Sequence, residues 1–160
     1  MGVKQKSKSL SASNNRLSDS FVQLNVLSNQ DLIKVDIPNF KDRIKESGVN
    51  KIRPVRPEIF QINIGKLCNQ TCAHCHVDAG PDKKEENMDR ATLELCYNLI
   101  KEHKFKQVDI TGGAPEMNPH FRWFVESCFA LGCEVMVRCN LTIICANPKY
   151  HDLPQFFKDN

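Results

Sequence analysis

No stretch of the 160-residue chain approaches the ~20 consecutive apolar residues that a membrane-spanning helix needs, so no spanning segment is expected. The opening residues, MGVKQKSKSLSASNN, lack the apolar core of a secretory signal, and secretion is not expected either. A disulfide scaffold would be shorter, richer in loops and exported, so the eight cysteines read as reduced thiols, some of them binding metal. The globular part also lacks a basic excess. Residues 1–56 carry eleven Lys and Arg against five Asp and Glu, whereas residues 57–160 carry eleven against fourteen. The net charge of +3 therefore belongs to a leader, and neither a nucleic acid nor a membrane is expected as a partner.

Residues 1–37, the first part of that basic segment, form a leader rich in Ser, Asn and Lys, with no acidic residue before Asp19. Such a segment buries too little apolar surface to offset its ordering entropy, so it is expected to be partly disordered. Its first twenty residues also have the basic, acid-poor composition of an organelle transit peptide. The expected location is cytoplasmic, with an organelle matrix as the alternative. Residues 38–57 hold a short helix over 39–47, stopped by Gly48, and a linker containing Pro54 and Pro57.

From residue 58 onward the pattern is regular. Strands are predicted over 58–64, 107–111 and 133–139. Helices are predicted from the cap Asp89 to about Lys104, from Pro119 to Leu131, and over 150–158. The first of these helices is expected to present Leu95, Cys96, Leu99, Ile100 and His103 along one side. Strands alternating with helices imply an α/β fold with a parallel sheet. Three βα units are too few for an eight-unit barrel of ~250 residues. The expectation is the N-terminal part of a larger domain, or a truncated gene model, with residues 58–160 as its core.

The loop from Gly65 to Pro81 carries Cys68-Asn-Gln-Thr-Cys72-Ala-His-Cys75-His76. Cysteines at i, i+4 and i+7 would share one helix face as buried apolar residues, but Asn69, Gln70 and Thr71 are weak helix formers. Cys72-Ala-His-Cys75-His76 matches a haem attachment pattern that leaves Cys68 without a role. Zinc is a further option, with His74 or His76 as fourth ligand, although no second C-x-x-C is present. Three thiolates without an obvious fourth suggest a different arrangement, a [4Fe–4S] cluster in which one iron keeps an open position.

On these residues the chain resembles the radical S-adenosylmethionine (SAM) superfamily. The resemblance implies a partial (β/α) barrel of which about three βα units are present here. It implies a cluster on Cys68, Cys72 and Cys75, with SAM chelated at the open iron. One-electron cleavage of SAM would then give methionine and a 5′-deoxyadenosyl radical. His74 stands where the family has an aromatic residue near the adenine. Thr111-Gly112-Gly113-Ala114-Pro-Glu116 resembles the glycine-rich motif that holds the methionyl end of SAM, with Ala114 where the family has Glu. By position at a strand end, Arg138 and Asn140 join the SAM-contacting set, with a plain surface charge as the alternative for Arg138. Gln61–Cys68, Cys75–Pro81, Thr111–His120 and Arg138–Thr142 together resemble the arsenosugar-biosynthesis radical SAM proteins. That narrower resemblance implies adenosylation of a dimethylated trivalent arsenical, with an electron donor such as a flavodoxin or ferredoxin. The same site chemistry on a peptide or another small molecule is one alternative. A non-catalytic zinc-binding Cys/His module is the other.

Four further features are weaker. Asn69-Gln-Thr71 and Asn140-Leu-Thr142 match glycosylation sequons by coincidence. Cys96 and Cys128 read as core thiols. Cys139 and Cys145 flank a strand end and could take soft As(III). His76 and Asp78 read equally as groups shaping the cysteine loop or as turn residues.

Overall fold

The computed structural model describes residues 8–28, 38–49 and 52–160. Residues 1–7 and 29–37 of the leader and residues 50–51 of the linker lie outside the described residues, as do the parts of the leader and linker expectations that fall on them. The described leader carries short 3-10 turns over Ser11–Ser13 and Arg16–Ser18 and the helix α1 (Ser20–Ser28), none of which composition had indicated. Phe21, Leu24 and Leu27 of α1 are exposed, so the helix has no buried face among the described residues. Next comes α2 (Phe40–Glu46), capped by the Asn39 side chain on Lys41 N and followed by Gly48 at φ 78°, the left-handed stop expected of it.

Three strands, β1 (Ile59–Asn63), β2 (Gln107–Thr111) and β3 (Glu134–Val137), make a parallel sheet in the order β1-β2-β3. The fold is therefore α/β, as the alternation of patterns implied. Helices α3 (Arg90–His103) and α4 (Phe121–Ala130) supply the crossovers. Ile62, Val108 and Ile110, on one face of the sheet, pack with Leu93, Ile100, Phe121 and Phe124 in a single core. Each such fully buried side chain contributes about 1.5–3 kcal/mol of transfer free energy. The other face carries Gln61, Asn63, Asp109 and Thr111, because side chains alternate along each strand.

The buried stripe of α3 matches the expectation at Cys96 and Ile100 and departs from it at Leu95, Leu99 and His103, which are exposed. Leu93 and Ile100 are its buried residues, with Cys96 and Tyr97 half-buried beside them, whereas Leu95 is 65% exposed and Leu99 44%. The 93–96/97–100 spacing is itself a helical stripe, and the sheet selects it over the neighbouring 95–99 pair. Beyond β3 the chain forms a short helix that the sequence had not indicated, α5 (Thr142–Ala146), and then α6 (Leu153–Asp159). Ile143, Leu153 and Phe156 return from these helices to the core. Among the described residues no helix is long and apolar enough to cross a membrane.

Asn118 ties the layers together. It is buried, and its side-chain amide donates to Ile64 O and to Met88 O, both at 2.9 Å, while its Oδ1 accepts His120 N–H at 2.8 Å. One side chain thus joins the exit of β1, the approach to α3 and the start of α4. Asn118→Ala is expected to strip partners from these buried carbonyls and lower stability by about 1–3 kcal/mol. Urea unfolding checks this, read as a lower midpoint at unchanged slope.

Candidate functional site

The segments leaving the carboxyl ends of the three strands converge on the cysteine loop. Gly113 N–H donates to Gly65 O at 2.9 Å and Ala114 N–H to Leu67 O at 2.8 Å, so the end of β2 is spliced to the chain entering Cys68. A β-carbon on Gly112 would stand 2.7 Å from Gly65 O. On Gly113 it would stand 2.6 Å from Leu67 O and 3.0 Å from Cys68 Cβ. The two glycines are thus required by the close approach of the protein's own backbone. The loop closes on itself through Cys68 N–H to Gly80 O at 3.2 Å and Gly80 N–H to Lys66 O at 3.1 Å.

Cys68 is buried, and Cys72 and Cys75 are half-buried. N–H groups are aimed at two of the sulfurs: Gln70 N at 3.5 Å and Asn140 Nδ2 at 3.6 Å from Cys68 Sγ, and Ala79 N at 3.2 Å from Cys75 Sγ. Burial pushes the Cys68 thiol up, the Gln70 and Asn140 donors oppose it, and nearby Cys72 and Cys75 add to the rise. Among the described residues no three His, Cys, Asp or Glu side chains are placed so as to hold a metal ion. In its chemistry the donor set suits a soft or iron–sulfide group: three thiols on one loop, with N–H donors at sulfur, and no carboxylate among them. His74 and His76 are exposed, and with Leu10, Ala73 and Cys75 they line a small cavity of about 180 Å³ against the leader. A larger cleft of about 680 Å³ lies to one side, lined by Asn63, Gly65, Lys66, Asp78 and Glu86 but by none of the three cysteines.

The two coincidental sequons meet. Asn140 Nδ2 donates to Asn69 Oδ1, Asn69 Nδ2 to Thr142 Oγ1, and Thr142 Oγ1 to Asn140 Oδ1, each at 3.0 Å. This closed ring bonds the cysteine loop to the exit of β3. Leu141, inside it, holds φ at 56°, a conformation unusual for a bulky side chain. Asn140 is therefore a partner of the cysteine loop, a role only its position after a strand end hinted at.

Glu116 is buried, and neither carboxylate oxygen has a hydrogen-bond partner of ordinary geometry. The Cys139 thiol faces it. Burial first, then the Glu116 carboxylate, push that thiol up to about 12, so Cys139 is protonated at neutral pH. Cys145 lies exposed on α5.

Arg138 has a partner within the sheet. Its Nε and Nη2 reach Asp109 at 2.9 and 2.7 Å, and Gln61 Nε2 donates to the same carboxylate at 2.7 Å. The Arg138 bond leads the causes that hold the Asp109 carboxyl below its usual value. The N–H groups of Gly113 and Ala114 and the carbonyl of Thr111 are likewise engaged by protein, the last by Ile64 N–H at 3.0 Å. Of the residues expected around SAM, Glu116 alone combines deep burial with unused hydrogen-bonding capacity.

No protein-family model and no curated protein matches the chain. Among solved structures it is similar to BtrN in complex with AdoMet and 2-DOIA, at 17% identity and a TM-score of 0.48. That match covers 62% of this chain and 42% of the BtrN chain, so this chain spans less than half of its neighbour's length.

Two outcomes follow from this geometry. Gly113→Ala places a methyl against Leu67 O and Cys68 Cβ and is expected to destabilise the chain by about 1–3 kcal/mol. Amide exchange should then accelerate over residues 66–80, whether or not SAM is present. The Asp109 contribution is full above its ordinary value of 3.8 and is lost as pH falls through its lower folded value. Asp109→Asn should therefore be less stable than the parent at pH 6, and the gap should narrow below about pH 3.8, as urea titrations across pH 2–6 will show.

Proposed function

We propose that this chain is the N-terminal portion of a radical SAM (β/α) barrel, with a [4Fe–4S] cluster on Cys68, Cys72 and Cys75. The observation that carries the reading is one loop of three thiols at the carboxyl ends of parallel strands, held against a Gly-Gly strand end and supplied with N–H donors at sulfur. Ligands are expected at that end of such sheets. The polar face bearing Gln61, Asp109 and Arg138 would line the barrel interior. When bound, the cluster would supply one electron for cleavage of the SAM C5′–S bond. This chain's residues would do the holding: the Gln70 and Ala79 amides orient sulfur, and Asn140 steadies Cys68 from the exit of β3. Glu116 is the group fitted to receive the SAM ammonium, since it is buried and neither oxygen has a hydrogen-bond partner of ordinary geometry, the Cys139 thiol facing it. The Gln61–Cys68, Thr111–His120 and Arg138–Thr142 motifs favour adenosylation of a dimethylated trivalent arsenical, with a small flavin or iron–sulfur protein as electron donor.

Anaerobic reconstitution with iron and sulfide tests the centre. Charge-transfer absorption should appear in the parent and in Cys96→Ala, and should be lost in each of Cys68→Ala, Cys72→Ala and Cys75→Ala. Zinc uptake without colour would replace the cluster reading with that of a zinc module. Glu116→Gln is expected to leave iron content unchanged and weaken SAM binding at least tenfold, since a lost partner of a buried charge costs about 2–5 kcal/mol. Equilibrium dialysis with labelled SAM measures this. Product analysis with SAM, reductant and a dimethylated trivalent arsenical then tests the substrate.

A further inference from the structure

The described leader is bound to the segment that closes the cysteine loop. Ser9 is fully buried and Leu10 is 9% exposed. Ser9 N–H donates to Asp82 Oδ1 at 2.6 Å, and its hydroxyl to Asp82 Oδ2 at 2.7 Å. Ser11 repeats the pattern on Asp78, its N–H donating to Oδ1 at 2.8 Å and its hydroxyl to Oδ2. Each serine thus spans both oxygens of one carboxylate. Between the two aspartates lies Gly80, where a β-carbon would stand 2.8 Å from Ser9 N, so the strap rests on bare backbone. Gly80 O is also the acceptor of Cys68 N–H. The strap and the first cysteine therefore share one support.

We propose that Ser11 is a phosphorylation site whose phosphate releases this strap from the cysteine loop. Ser11 is exposed, whereas Ser9 is not. Lys8 stands three residues before it and Lys6 five before it, and no acidic residue precedes Asp19, a pattern complementary to the acidic substrate groove of a basophilic protein kinase. In the transfer, Ser11 Oγ bonds to the γ-phosphorus of Mg-ATP and the bond to the β,γ-bridging oxygen breaks. ADP leaves, and the hydroxyl proton passes through the kinase base to solvent.

The product carries about −1.5 to −2 charges and has lost the hydrogen that Asp78 accepted. It faces Asp78, with Asp82 held by the neighbouring Ser9 and Glu86 joined to Asp78 through Lys83. Lys83 Nζ is already paired with Asp78 and Glu86, both at 3.1 Å, and Lys66 Nζ with Glu86 at 2.6 Å. Repulsion therefore exceeds recapture. In the docked strap the hydroxyl is engaged by Asp78, so the kinase acts on the open form and the phosphate prevents reclosure. Release withdraws Leu10 from the cavity it lines with His74, Cys75 and His76.

The full chain is incubated with a basophilic kinase and Mg-ATP, the site is located by tandem mass spectrometry, and amide exchange is followed. Phosphate is expected on Ser11 and absent from that position in Ser11→Ala. Exchange of the Ser9, Ser11 and Cys68 amides should quicken about tenfold. Asp78→Asn should open the strap without phosphate and raise the rate of Ser11 phosphorylation. In Asp78→Lys the order should invert, the phosphorylated chain exchanging more slowly than the unmodified one. No phosphate on Ser11 in either the parent or Asp78→Asn would overturn the proposal. So would a phosphorylated parent whose strap exchanges as before, the sign that Lys83 recaptures the group.

Discussion

The two backbone hydrogen bonds from Gly113 and Ala114 to Gly65 and Leu67 decide where the candidate site residues stand. They bring the end of one parallel strand onto the loop that leaves its neighbour, at a separation that admits no side chain. Cys68 enters the loop directly from this junction, and Glu116 follows it within three residues. Displacement of the junction would move thiol and carboxylate together. The core beneath it, built on Ile64, Ile110 and Phe124, acts as the rigid floor that such a junction needs.

Around that junction, neutral side-chain amides do work that charges do elsewhere. Asn118 spans β1 and the approaches to α3 and α4, and the Asn69–Asn140–Thr142 ring spans the cysteine loop and the exit of β3. Both arrangements bind buried or half-buried backbone and sulfur through uncharged groups. An amide donor satisfies sulfur at a lower desolvation cost than an ammonium would. The charged pairs of Lys66, Lys83, Asp78 and Glu86 border the loop, the Lys83–Asp78 pair largely shielded from solvent.

The strands and main helices were legible because their periodicity and caps agree with their packing. Gln107–Thr111 stands as read, and Asp89 caps α3 through Thr92 N–H at 2.8 Å. What escaped the sequence depended on partners distant along the chain. On α3 the reading found Ile100 and Cys96 but took Leu95 and Leu99 in place of Leu93, since the three leucines are equally apolar and only the sheet distinguishes them. Arg138 looked equally like a ligand-facing group and a surface charge, and its partner Asp109 lies a strand away. Asn69 drew attention only as a sequon and Asn140 as a sequon and a strand-end residue facing SAM, because nothing local in either announces a bond to a residue some seventy positions distant. The cysteine spacing was plain from the start; the glycines that seat it were read as serving a ligand, and the backbone contact at Leu67 supplies the other reason.

The Gln61–Asp109–Arg138 chain has a consequence for how the strands find one another. Asp109 is buried in the middle of the sheet and draws its bonds from both neighbours. If β3 slid by a single residue, Val137 would replace Arg138 beside the carboxylate, and a desolvated charge would be left without its cation. Apolar alternation alone penalises such a slip by exposing valines; the carboxylate adds a penalty of a different kind, electrostatic and confined to one position. The polar rung thus works as a registration pin, rejecting near-miss pairings of a short parallel strand whose own hydrophobic signal is only four residues long.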